Sequence, residues 1–451
     1  MLTASSFSLS CKDSDNDCNR EVFAWQDRNQ DTLNIENEAV RYVLALSNAQ
    51  FSTDTCSISQ QFFDAQRSYR PDQPVGKTIV FSDFIANEVE VRLYVDNVRK
   101  KADFIGKTTI ENGKGSWQFT NLLPGKTYYY EVLTPRGRAI SRGCFVTTGQ
   151  VRMIAVDGGF NIRDLGGWTG LGGNKVKYGW LYRGGSLGGT DKDGNKSEIS
   201  SASKEELYRL GIRAQLDLRA ESDSGKYRGE GSLHSYSSGA ALMPTMDYNN
   251  TMTDYGAYNE DMSVVSDVAW IIYELKNGRP VYFNCRQGAD RTGTVAFLLE
   301  GLLGCYEYST AAGGNQMAVD YELTGFSQAN LIDNWKVATS SRPASEAYAN
   351  TSKLFRQIID LKASEPGIEL TTLQQKCYYY LNRYVNPKWK GETLHIDSAD
   401  LDWFIAHMLE GIDAKSYLPY RPTWAAGGAS LKDVAEKCAN VVSYASGAND
   451  D

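Results

Sequence analysis

Histidine is scarce in this chain: three residues in 451, His234, His395 and His407, with no two at metal-ligand spacing. A His-rich zinc or iron site is thereby excluded. The eight cysteines, Cys11, Cys18, Cys56, Cys144, Cys285, Cys305, Cys377 and Cys438, form no C-x-x-C pair. They are too sparse for a disulfide framework. No uninterrupted apolar run approaches the ~18 residues of a membrane-spanning helix. No cluster of Lys and Arg forms the basic stripe of a nucleic-acid binder, and the formal charge is −8. Internal repeats and low-complexity tracts are also missing. What is present is a globular composition, 41% hydrophobic and 12% aromatic, rich enough in apolar area to argue against disorder. At roughly 100–200 residues per domain, the length suggests two or three domains.

Residues 1–33 read as a flexible acidic segment. The start, Met1-Leu-Thr-Ala-Ser-Ser-Phe-Ser-Leu-Ser-Cys11, precedes Lys12-Asp-Ser-Asp-Asn-Asp17. It resembles the tail of a bacterial lipoprotein signal with an acidic spacer after it. The resemblance implies export to the cell envelope, as a periplasmic or outer-membrane lipoprotein tethered through a lipidated Cys11. The alternative is a plain acidic terminus on a cytoplasmic protein. Residues 34–70 carry Val40, Val43, Leu44 and Leu46 at helical spacing and predict a short helical segment. Pro71, Pro74 and Gly76 mark its end.

Over 71–150 the hydrophobic period changes to two. Thr78–Phe81, Val89–Val95, Ser116–Phe119, Thr127–Leu133 and Cys144–Thr147 are strand-like. The turns Glu111-Asn-Gly113, Pro124-Gly125 and Pro135-Arg-Gly137 separate them. Short strands at such spacing predict an all-β sandwich. The stretch Leu122-Leu-Pro-Gly-Lys-Thr-Tyr-Tyr-Tyr-Glu-Val132 resembles a late strand of fibronectin type III-like domains. No chemistry stands out in it, so a spacer or orienting module is expected.

From 151 to 412 strands and helices alternate. Ser203-Lys-Glu-Glu206 reads as a capping box opening a helix that ends at Gly211. Ile212 to Arg219 alternates like a half-buried strand. A helix over Val264–Leu275, a strand over Pro280–Phe283 and a helix over Thr292–Leu303 follow. This order predicts an α/β domain with a central, mostly parallel sheet flanked by helices. Another helix is expected from Ser398, ended by Gly411. Residues 413–451 read as a C-terminal extension whose last residues, from 439, are frayed.

The chemistry concentrates in Val281-Tyr-Phe-Asn-Cys285-Arg-Gln-Gly-Ala-Asp-Arg291-Thr-Gly293. A loop from a strand to a helix N-terminus aims backbone N–H groups at one point, and the helix dipole adds positive potential. A cysteine at such a mouth is held as a thiolate at neutral pH. Arg291 can grip two phosphate oxygens as a fork. Gly288 permits the tight turn. Thr292 can donate to the sulfur and ease its departure. The loop residues Arg286, Gln287, Gly288, Ala289, Asp290 and Arg291 would surround a bound phosphate. These features describe a nucleophilic phosphatase that forms a phosphocysteine and needs neither metal nor cofactor. The competing reading is a buried structural cysteine.

The sequence here resembles the cysteine-dependent tyrosine phosphatase superfamily and, within it, the bacterial tyrosine/lipid phosphatases. Their phosphate loop has the form H-C-x-x-G-K-D-R-T-G. Asn161-Ile-Arg163-Asp164-Leu-Gly-Gly167, Leu181-Tyr-Arg183-Gly-Gly-Ser-Leu187, Gly211-Ile-Arg-Ala-Gln-Leu-Asp217-Leu-Arg219 and Asp320-Tyr-Glu-Leu-Thr324 are similar to four further motifs of that family. Two positions depart from it: Asn284 stands where the family has His, and Ala289 where many members have Lys. The resemblance implies a phosphorylated small molecule, peptide or lipid headgroup as substrate. The missing Lys weakens a phosphoinositide, although Arg286 returns one positive charge.

The resemblance also points to Asp290 as the acid that protonates the leaving group. Asp217, at the end of a strand facing the same crevice, is a second catalytic candidate, its alternative being an ion pair with a motif arginine. Asp247 and Asp254 lie where a mobile acid-bearing loop would sit. Asp164 is expected to bridge to Arg163 or Arg183. Asp191 to Ser197 begins like a calcium loop but lacks its Gly and its final Glu, so a polar hairpin is expected. The leading function is a phosphomonoesterase. Its alternatives are an inositol phosphate or phosphoinositide phosphatase, and a phosphate-binding pseudophosphatase serving as an envelope recognition module. The oligomeric state is not legible.

Overall fold

The computed structural model describes residues 31–51, 55–65, 72–83, 85–95, 102–190, 196–219, 247–251, 263–327, 353–385, 395–437 and 441–444. Cys11, the acidic run after it, Asp254 and most of the calcium-like stretch lie outside the described residues. The chain divides into a strand-rich unit and a larger α/β unit. No helix among the described residues is long and apolar enough to cross a membrane.

The strand-rich unit holds β1 (Asp31–Asn34), β2 (Lys77–Ser82), β3 (Glu88–Tyr94), β4 (Phe104–Thr109), β5 (Lys114–Phe119), β6 (Thr127–Leu133) and β7 (Ala139–Thr148). One sheet has the order β1-β7-β6-β3-β4, and β2 pairs with β5 separately. Asn112 and Gly113, both at positive φ, turn the chain from β4 to β5, as an Asn-Gly turn can. Ring contacts Phe104–Trp117, at 5.5 Å, and Phe119–Tyr130, at 6.5 Å, bridge the two sheets. Tyr128 stacks on its cross-strand partner Phe145.

The α/β unit is built on β8 (Arg163–Asp164), β9 (Leu181–Gly184), β12 (Ala214–Asp217), β13 (Asp247–Thr251), β14 (Val281–Asn284) and β15 (Val441–Tyr444); a hairpin, β10 (Gly188–Thr190) and β11 (Lys196–Glu198), lies apart from this sheet. The sheet order is β15-β13-β12-β14-β9-β8, with the middle four strands parallel and both edges antiparallel. The register sets Asp217, Asn284 and Gly184 side by side. The carboxyl ends of three parallel strands therefore open onto one crevice, the usual ligand position of such sheets.

Several expectations change. The described residues of the helical segment, from Ile35, and of the extension over 413–451 cluster with the α/β unit. Phe62 packs against Phe326 at 5.8 Å, and Leu431 and Val434 join the main core. The expected frayed end contains β15, whose Val441-Val442-Ser443-Tyr444 is β-branched and aromatic enough to pair with β13. Strand β12 is buried on both faces rather than half-buried, because its polar Gln215 and Asp217 have side-chain partners inside. The first helix after β11 is Ser201–Arg209, capped by Ser200 instead of Ser203, since the Ser200 hydroxyl accepts from the Ser203 amide. The helix expected from Thr292 begins two residues earlier, at Asp290, and is buried from Thr292 to Leu302. Such a helix, apolar all round, belongs inside a layered core.

Candidate active site

Strand β14 ends at Asn284, and Cys285, only 4% exposed, stands immediately beyond it. The loop then reaches the Asp290–Leu302 helix within four residues. Its carbonyl oxygens are taken one after another. Ser186 N–H donates to the Arg286 oxygen at 3.0 Å. Asn161 Nδ2 donates to the Gln287 oxygen at 3.0 Å, and Arg183 Nη2 to the Gly288 oxygen at 3.0 Å. Gly293 N–H donates to the Ala289 oxygen at 2.6 Å. In a planar trans peptide the N–H points opposite to the C=O. With these oxygens held from outside, the amides of Gln287, Gly288, Ala289 and Asp290 turn to the concave side. The helix dipole points the same way.

Gly288 makes this turn possible twice over. Its φ is +74°, and a Cβ there would lie 2.5 Å from the Gly184 oxygen and 2.7 Å from the Gly185 nitrogen. Backbone cannot yield as a side chain would, so the position admits only glycine. Asn284 is fully buried. Its Nδ2 donates to the Cys285 carbonyl oxygen at 3.2 Å and its Oδ1 accepts from Gln215 at 2.8 Å.

Arg291 folds back over the end of β12, where its Nη1 donates to the Leu218 oxygen at 3.0 Å. Arg286 is exposed on the loop, while Gln287 and Ala289 are buried. The hydroxyl of Thr292 is buried and has no hydrogen-bond partner among the described residues, the Cys285 sulfur included. Asp290 is half-buried in the first helical turn, and its Oδ1 accepts from the Tyr321 hydroxyl at 2.9 Å.

Of the two readings of Asp217, the structure shows the contacts of the ion pair with a motif arginine. Both its oxygens accept from Arg219, at 2.5 to 2.9 Å, and it is fully buried. A carboxylate gripped on both oxygens by a guanidinium is the bidentate pair expected as the alternative reading of this residue. Of Asp247, the backbone opens β13. Asp164 bridges neither Arg163 nor Arg183: it pairs with Arg152 at 3.1 Å and accepts from the Gly166 and Gly179 amides. Arg152, which the motifs do not contain, also donates to the Asn121 and Leu122 oxygens.

Arg163 and Arg183 meet instead on Asp320. All three are buried. Burial works against the Asp320 carboxylate, but the two guanidiniums outweigh it and hold its carboxyl below the usual range. Arg163 also donates to Asn161 Oδ1 at 2.5 Å. Asn161 keeps φ +55°, a conformation asparagine tolerates, and aims its amide at the loop. Asp320 thus orients Arg183 directly and Asn161 through Arg163, and those two hold consecutive loop carbonyls. Sequence reading grouped these motifs but did not show that they converge on one backbone segment.

Glu300 was missed altogether, since one acid in an apolar helix carries no motif. It is buried, and neither oxygen has a hydrogen-bond partner among the described residues. Burial, then the negative Asp320, push its carboxyl well above the usual range despite Arg183 and Arg163. Two guanidiniums, one carboxylate and one neutral carboxyl leave net positive charge behind the loop. Because the raised group must keep its proton on folding, it costs stability as pH rises above the unfolded value near 4.3. Glu300→Gln is therefore expected to unfold at a higher temperature than wild type at pH 8. The gap should shrink toward pH 4, as thermal melts across pH would record; a constant gap would contradict a neutral Glu300.

A curated protein of Cupriavidus necator, named "Putative tyrosine-protein phosphatase", is 29% identical over 166 residues, covering 34% of this chain and 58% of that protein. The chain thus spans less than two thirds of that relative's length. Residues 154–364, which carry the Cys285 loop and the residues that hold it, match the model of the tyrosine phosphatase family.

Proposed function

We propose that this protein is a phosphomonoesterase of the cysteine-dependent class, acting on phosphotyrosine-like or other organic phosphate monoesters. One observation carries the reading: four consecutive carbonyls of the loop, from Arg286 to Ala289, are each held by a donor at a helix N-terminus, and planar peptide geometry turns the amides that follow them the other way. That is a preformed cradle for the equatorial oxygens of a phosphoryl group, with a thiol at its start. The family match supports it.

In the first step the Cys285 sulfur attacks phosphorus, the S–P bond forms and the ester P–O bond breaks. Asp290 gives its carboxyl proton to the departing oxygen. In the second step water attacks phosphorus, Asp290 takes the water's proton and the S–P bond breaks. The sulfur leaves as thiolate and inorganic phosphate is released. Inward amides and Arg291 stabilise the charge in both transition states. Thr292 is the proposed donor to the departing sulfur, a bond that forms only during the reaction, since its buried hydroxyl has no partner among the described residues of the resting site. Arg286, exposed on the loop, adds positive charge toward a phosphorylated peptide, small molecule or lipid headgroup. The strand-rich unit fits a fibronectin type III-like sandwich that orients or spaces this domain. With a lipidated Cys11, the enzyme would work at the cell envelope.

The test is a panel of aryl phosphates, phosphopeptides, phosphoinositides and inositol phosphates, with Cys285→Ser as blank and with a chelator. Turnover that survives the chelator is expected. Phosphate binding without turnover would favour the pseudophosphatase, and full inhibition by chelator would refute the thiolate route. Asp290→Asn is expected to slow an alkyl phosphate by roughly 10²–10⁴-fold. An activated aryl phosphate, whose leaving group scarcely needs the proton, should change far less. Equal losses on both would remove Asp290 as the acid.

A further inference from the structure

We propose that Tyr321 is a positioning residue that sets the Asp290 carboxyl for proton transfer. The inference rests on Asp290 being the acid, as proposed above. The Tyr321 hydroxyl donates to Asp290 Oδ1 at 2.9 Å. Tyr321 itself is fully buried in the Gln316–Leu323 helix, every residue of which is buried. That helix is anchored at its start by Asn315, whose side chain accepts from the Met317 and Ala318 amides. Its ring lies against Gly293, where a Cβ would be 2.9 and 3.0 Å from two ring carbons. The phenol is therefore held from both helices and has little freedom to leave its acceptor.

The chemical consequence follows from which oxygen is used. A carboxyl has two oxygens and rotates about one bond. A donor fixed on Oδ1 sets that rotation and assigns the transferable proton to Oδ2. In the second step the same hydroxyl stabilises the ionised carboxylate that must receive the proton from water. The helix also couples acid and cradle. Asp320, the preceding residue, orients the two groups that hold the Gln287 and Gly288 carbonyls. Adjacent residues of one helix thus secure the loop backbone and the acid.

The experiment compares wild type, Tyr321→Phe, Asp290→Asn and the double variant on an alkyl phosphate and on a series of aryl phosphates. Phenylalanine keeps the ring on Gly293 and removes only the hydroxyl. Tyr321→Phe is expected to lower kcat on the alkyl phosphate by roughly 10- to 100-fold. On the most activated aryl phosphate the change should stay within about threefold, with KM unchanged on both. In the Asp290→Asn background the same substitution should add nothing, because the group it positions is gone. Equal losses across all leaving groups would overturn the proposal and mark Tyr321 as merely structural. Fully additive losses in the double variant would overturn it too. If Asp290→Asn alone shows no leaving-group bias, the acid assignment is what has failed, and the role of Tyr321 falls with it.

Discussion

Cys285→Ser is expected to lower kcat on an aryl phosphate by about 10⁵-fold or more, the loss typical of removing a nucleophile from a concerted site. The hydroxyl is un-ionised at neutral pH and cannot replace the sulfur. The loop should persist, because its shape is set by Ser186, Asn161, Arg183 and Gly293, none of which touches the sulfur in the bonds described. Inhibition constants for inorganic phosphate, measured by displacement of a bound anion, should therefore change little while turnover disappears. Retained turnover in Cys285→Ser would end the phosphocysteine mechanism. Arg291→Lys should cost roughly 10²–10³-fold, the scale of losing one transition-state donor. A point charge cannot hold the Leu218 oxygen and two phosphate oxygens in the way a planar fork can.

The second large effect concerns stability. Asp320→Asn leaves two buried guanidiniums sharing a neutral partner, and breaking a buried pair this way costs roughly 3–5 kcal/mol. For a domain of this size the midpoint should fall by roughly 6–20 °C. The sign with pH is definite. The folded Asp320 carboxyl is held below its unfolded value, so its contribution is complete above the unfolded value near 3.9. It is lost as pH falls through the lower folded value. The difference between Asp320→Asn and wild type should thus be full at pH 7 and close only in strong acid. Melts at neutral pH that coincide would show that Arg163 and Arg183 do not depend on Asp320.

The position of the loop was legible because local patterns encode it. An apolar strand, a cysteine, a glycine at the third intervening position and an apolar run after Arg291 are short-range signals. The acidic side chains were not so readable. Asp217 and Asp290 both sit at strand or helix ends near the crevice, and local pattern did not separate them; the family resemblance put Asp290 first. Asp217 is occupied by an arginine two residues along its own chain, whereas Asp290 is met by Tyr321, thirty-one residues away. Asp164 found Arg152 rather than the nearer Arg163, because the antiparallel pairing of β8 and β9 sends Arg163 inward to Asp320.

By itself, then, the sequence determined the alternation of strands and helices, the cysteine loop and the residue types around it. These depend on periodicity, turn chemistry and capping, which act over a few residues. Only the tertiary structure decided which partner each buried charge takes. Asn161, Arg163, Arg183 and Asp320 come from separate segments and meet because the sheet register and the Gln316–Leu323 helix bring them together. A buried charge takes whichever opposite charge can reach it with good geometry, and that is set by packing over the whole unit, not by neighbours in the chain.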